Sequence, residues 1–156
     1  TFFAEGVALV DPSRLEYVVP YKSHRKKQRQ PGAPVFSLDS LFPGHESFIA
    51  GRTIAASPQN RGIIENRHKV PALGKKAIYL LRDTVKVLGI PPMLEPATAA
   101  FFYANPRDPM KGGTGHTIRV CVEQGVLYAL QDGWLKRGAY QEECMVSIPQ
   151  RDSDSV

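Results

Sequence analysis

Only two cysteines occur among the 156 residues, Cys121 and Cys144, and neither belongs to a CxxC or metal-ligand spacing. That excludes a disulfide framework, and the reading is a reducing, cytoplasmic setting. No apolar run approaches the roughly 18 residues of a membrane helix, and the start carries no secretory leader pattern, so a membrane is not an expected partner. His24, His45 and His68 lie far apart, without HxH or HExxH spacing, and neither a metal nor a cofactor is expected. A Walker loop, a GxGxxG fingerprint and internal repeats are all missing. The one tryptophan, Trp134, is read as a packing residue.

What is present describes a globular α/β chain. Hydrophobic residues make up 42% and charged residues 22%, the balance of a protein with a packed core. The length suits one domain, assigned to residues 1–149, with polar Gln150–Val156 as a flexible C-terminal tail. The formal charge is +5. Much of the excess lies in one run, Lys22-Ser23-His24-Arg25-Lys26-Lys27-Gln28-Arg29. Such a run is either a solvated loop or a polyanion contact, and in the second case Lys22, Arg25, Lys26, Lys27 and Arg29 are the candidates for nucleic acid.

Thr1–Leu9 has no initiator methionine and reads as the last turns of an amphipathic helix, with Phe2, Phe3 and Leu9 toward a core. Leu15–Pro20 is strand-like, and Gln30–Pro34 is a loop. Ser47 to about Ala56 forms a helix that Ser57–Gly62 breaks. Lys75–Leu88 is the clearest helix, with Ile78, Leu81, Val85 and Leu88 on one face and Gly89 and Pro91-Pro92 as its stop. Ala99–Ala104 is continuously apolar, as in a parallel strand covered on both faces. A loop over 105–113 and a helix from about Gly115 to Gln124 follow, closed by Gly125. Leu127–Leu130 reads as a second short buried strand, and Gln131–Arg137 as a last helix. The alternation predicts a Rossmann-like three-layer domain with a mainly parallel sheet. A helix at the very start further predicts that the first strand is missing from this numbering.

The stretch Asn105–Thr117 leaves the carboxyl end of a strand and opens a helix, where open parallel sheets bind ligands. Glycines let backbone amides approach a phosphate, and the helix adds free N–H groups and the positive end of its dipole. Gly112, Gly113, Thr114, Gly115, His116 and Thr117 are therefore the candidate phosphate ligands. Lys111 adds long-range attraction, and Asn105 is placed to contact a base or ribose.

Lys111–Val120, with Gly125-Val126 and a short strand after it, resembles the second phosphate loop of the SLOG superfamily, which includes the DNA-processing protein A fold and lysine-decarboxylase-like phosphoribohydrolases. Thr1–Gly6 looks like the continuation of that family's first glycine motif, and Leu15–Tyr21 resembles its second strand. Asn66-Arg67-His68 through Val87-Leu88-Gly89 is similar to the mid-region of small phage- and prophage-type members. The resemblance implies a nucleotide-derived ligand, a homodimer, and the host cytoplasm for a phage-encoded chain. It also implies a departure, because Arg119 stands where the phosphoribohydrolases carry a glutamate.

Three functions follow as expectations. The first is a binding protein for a phosphorylated nucleotide or nucleotide derivative, acting as sensor, sponge or carrier. The second is a nucleotide-processing hydrolase with His116 as acid–base group and Asp108 or Glu5 as its carboxylate partner. The third is a single-stranded nucleic-acid-binding or assembly protein using the 22–29 run; Phe101, Phe102 and Tyr103 are read as core and not as a stacking platform. An N-terminal nucleophile at Thr1 is disfavoured, because Thr1 enters a helix. Arg82 and Asp83 are either a solvated pair or, by the resemblance, place Arg82 toward the pocket.

Overall fold

A computed structural model describes residues 2–41 and 44–135, with backbone alone for Phe2, Leu41, Trp134 and Leu135. The expected end of the last helix beyond residue 135, Cys144 and the 150–156 tail lie outside the described residues.

Helix α1 spans Phe2–Val10 and strand β1 Tyr17–Val19. Strand β2, Val35–Ser37, runs straight into the short helix α2, Leu38–Leu41. Helices α3 (Glu46–Ala56), α4 (Arg61–Glu65) and α5 (Pro71–Leu88) follow. The rest is strand β3 (Ala99–Phe102), helix α6 (Gly112–Gln124), strand β4 (Leu127–Leu130) and helix α7 (Gln131–Leu135). The chain is mixed α/β, consistent with the expected layout. Both strand pairs are parallel, Tyr17–Val19 against Val35–Ser37 and Ala99–Phe102 against Leu127–Leu130. Among the described residues they form two separate two-stranded sheets.

Helix α5 organises the packing. Proline in its first turn is already shaped for a helix start, and Gly89 at φ 62 ends it, its N–H on Val85 O. Leu81 and Val85 join Ile49, Ala50, Ile64 and Leu38 in one buried cluster, against which Val18 of β1 packs. Val87, on another face of α5, joins Ala56, Val120 and Cys121 in a second cluster beneath Ala100 and Phe102 of β3. Both strand pairs thus lie near the Arg82–Val87 stretch of α5, and α6 packs along the helix.

Two expected burial patterns differ. Leu9 is 87% exposed and Phe3 half exposed, whereas Ala4 is the buried residue of α1. Glu5 is the one charged residue in that helix, so periodicity offers little contrast from which to choose a face. In the apolar run 99–104, Phe101 of β3 is 40% exposed and Tyr103, just past the strand, 71%. Phe101 borders a cleft, and an unbroken apolar run does not distinguish that from cover by a second layer. Strand β2 escaped the sequence reading because three residues between Pro34 and Leu38 are too few to show a period.

Candidate functional site

The loop from β3 to α6 is anchored at both ends. At its start the buried Gln131 carboxamide, from the first residue of α7, holds Ala104 twice: Oε1 accepts from Ala104 N–H at 2.9 Å and Nε2 donates to Ala104 O at 2.6 Å. At its end Arg119 Nη1 donates to Met110 O at 3.0 Å. Asn105 does not face the glycines: its Oδ1 accepts from Arg107 N–H at 3.0 Å and shapes the turn. Asn105 lies outside both clefts that meet at Gly113.

Each glycine of the turn has its own reason. Gly112 opens α6 at φ 67, a conformation that favours glycine. A Cβ on Gly115 would fall 1.8 Å from Met110 O, so the loop crosses the helix where only glycine fits. A Cβ on Gly113 would stand 3.2 Å from Asp83 Oδ2. Backbone geometry and packing therefore account for these glycines without any ligand, a stronger structural role than the sequence suggested. Lys111, at the N-cap position, makes no side-chain capping bond, and the first N–H groups of a helix have no intrahelical acceptor. Thr117 Oγ1 donates back to Gly113 O at 3.0 Å.

Two clefts meet at this helix end. One, about 540 Å³, is bordered by Gly113, Thr114, Thr117, Phe101, Arg82 and Lys86. The other, about 600 Å³, includes Gly112, Gly113, Arg119, Lys75 and Lys76. Asp83 lies between them. Arg82 donates to Asp83 Oδ1 from Nη2 at 2.6 Å and from Nε at 3.0 Å, and Lys86 Nζ donates to the same oxygen at 3.2 Å. Burial pushes the Lys86 ammonium below its usual pKa, Asp83 opposes the shift, and Arg82 adds to it. Arg82 also stacks on Tyr79, 5.3 Å from the ring centroid. Arg82 thus borders the first of these clefts, with its guanidinium held by Asp83.

His116 is placed differently from the sequence expectation. Its ring is fully buried, turned into the core and away from the turn. Nε2 donates to Leu80 O at 3.2 Å and stands 3.1 Å from Thr84 Oγ1. Nδ1 lies 2.8 Å from Ser57 Oγ, and in the neutral ring with its proton on Nε2 it accepts from that hydroxyl. Burial lowers its pKa; Asp83 and the Leu80 carbonyl oppose that, and Arg119 adds to it. Neither Asp108 nor Glu5 is among its hydrogen-bond partners. Arg119 Nε donates to Ser57 Oγ at 2.9 Å, so a polar chain runs from Met110 through Arg119 and Ser57 to His116. The sequence reading missed Ser57, Thr84 and Gln131, which come from distant segments with no local signal.

The basic run is divided between two faces. Lys22, Lys26 and Arg29 border a cleft with Ser37 and Ser40, whereas Arg25 and Arg29 face a second cleft that includes Arg82 and Lys86. Lys27 borders neither. His24 sits in the second cleft; its pKa is lowered by burial first, then by Arg25, Arg82, Arg29 and Lys86. Asn66 donates to Gly62 O, and Arg67 and His68 both bond Glu46 Oε1, so this segment holds helices together. Cys121 is buried, its thiol pushed up to about 11 chiefly by burial. Among the described residues no cluster of three or more His, Cys, Asp or Glu can hold a metal ion, and no helix is long and apolar enough to cross a membrane.

Comparison with known proteins finds no match among family models, curated proteins or solved structures.

Proposed function

We propose that the chain binds a phosphorylated nucleotide or nucleotide derivative, with a phosphate at the first turn of α6, Gly112–Thr114. One observation carries the reading. The uncapped start of a 13-residue helix opens into a cleft that Arg82 and Lys86 also border. The N–H groups and dipole of such a helix end favour an anion, and two cations set against one carboxylate leave a positive excess there. Phe101, in the same cleft, gives a base an aromatic surface. Binding without turnover, as a sensor, sponge or carrier, is favoured over hydrolysis, because the best acid–base candidate, His116, has both ring nitrogens engaged in the core. The SLOG-like relationship and dimeric state belong to the same proposal and rest on the resemblance of Thr1–Gly6, Leu15–Tyr21 and Lys111–Val120; phage origin rests on that of Asn66–Gly89, and a cytoplasmic location on the cysteine usage.

The test is thermal stability against mono-, di- and cyclic nucleotides and NAD-derived compounds, with Gly113→Asp as the comparison. A ligand at a hundredfold excess over its Kd stabilises the native state by about 2.7 kcal/mol. The expected result is a shift with one nucleotide class, lost in Gly113→Asp, whose new carboxylate meets Asp83. No shift with any nucleotide overturns the proposal.

A further inference from the structure

The basic run has a use that the glycine turn does not absorb. It does not trail through solvent as a string of charges. Tyr21–Arg29 folds back on itself: Arg29 Nη2 donates to Lys22 O at 2.9 Å and also to His24 O. Arg25 takes the left-handed conformation at φ 48, which non-glycine residues adopt rarely and which persists where the surroundings impose it. A 3₁₀ turn at Lys26–Gln28 completes the loop. As a result Lys22, Lys26 and Arg29 border one cleft of about 730 Å³, whose other side is the β2–α2 junction with Ser37, Ser40 and Asp39.

Three features of this cleft point to a ligand rather than to a solvated loop. It lies beside the segment that leaves the carboxyl end of β1 and along β2 from Val35 into the β2–α2 junction, and strand carboxyl ends are where open α/β sheets receive ligands. Three cations face one carboxylate, so the cleft has an excess of positive charge. Arg29 is also fixed through Nη2, while its buried Nε has no hydrogen-bond partner among the described residues, and Ser23, Ser37 and Ser40 bring hydroxyls to the same space.

We propose that this cleft is a phosphate-binding site separate from the glycine turn, with Lys22 and Lys26 as its mobile cations and Arg29 as its fixed one. A phosphate offers several acceptor oxygens to lysine, arginine and hydroxyl donors at once. Such a group comes either from the backbone of single-stranded nucleic acid or from a small phosphorylated molecule.

Calorimetric titration of the full chain with inorganic pyrophosphate, and with a short single-stranded oligodeoxynucleotide at several salt concentrations, tests this. The variants are the double substitution Lys22→Glu with Lys26→Glu, and Gly113→Asp. Lys22 and Lys26 are exposed, so the double variant keeps its fold, checked by its unchanged melting temperature. The expected result is saturable binding of at least one probe, weakened at least tenfold by the double variant and unchanged by Gly113→Asp. Oligonucleotide binding that falls steeply with salt assigns the site to a nucleic-acid backbone, and pyrophosphate binding without it assigns the site to a small molecule. Binding of neither probe, or binding lost in Gly113→Asp but kept in the double variant, overturns the proposal, and the second result leaves the glycine turn as the sole phosphate site.

Discussion

Gly115 and Gly62 show how differently one residue type is used along this chain. At Gly115 the Met110 carbonyl lies where a Cβ would be, 1.8 Å away, whereas a Cβ at Gly62 meets nothing within 4 Å. Gly115→Ala must push the 105–111 loop off α6, an overpacking that costs about 1–3 kcal/mol. Gly62→Ala, inside a helix, is expected to stabilise by about 0.5–1 kcal/mol. Urea denaturation of the two variants checks both signs, and a neutral Gly115→Ala contradicts the close crossing. The glycines were legible in the sequence as a cluster. Their separate reasons were not, because a positive φ, a carbonyl contact and a carboxylate contact look alike as three letters.

At the scale of elements, the His116 network ties α3, α5 and α6 together through Ser57, Leu80, Thr84 and Thr53, with Thr53 and Thr84 hydroxyls 2.8 Å apart. The folded protein keeps His116 neutral, so as pH falls through the ordinary histidine value of about 6.5 the unfolded chain takes up a proton that the native state refuses. Stability is therefore full above that value and declines below it, down to the lowered folded pKa. The melting temperature of the wild type is expected to fall below about pH 6.5, and His116→Gln to lack part of that fall. His24, lowered in the same direction, adds its own share, which His24→Gln measures. Glu46, held below its usual pKa chiefly by its Arg67 hydrogen bond, acts only at more acid pH. Superimposable profiles for wild type and His116→Gln below pH 6.5 would contradict this role. A histidine beside three glycines suggested a ligand contact. Its burial depends on Ser57 and Thr84, whose approach no local pattern announces.

Over the whole molecule, α5 is the element from which both strand pairs and the candidate site take their positions. Its interior was legible from the spacing of Leu81 and Val85, as were the stop at Gly89 and the strand–loop–helix run from Ala99 to Gln124. The three-residue strand β2 and the weakly patterned α1 were not, since neither has enough contrast between faces to show a period. The division of the basic run between two clefts was also hidden, because it depends on Arg29 folding back onto Lys22 and His24. The glycine turn and the Lys22–Arg29 cleft make separate demands on a ligand, and each is tested by variants that leave the other intact. The most direct measurement for the central claim is a backbone amide NMR titration of the full chain with the nucleotide that gives the largest thermal shift. The largest perturbations are expected at the amides of Gly112, Gly113 and Thr114, with smaller ones at Arg82 and Lys86. Perturbations absent from Gly112–Thr114 would contradict the claim.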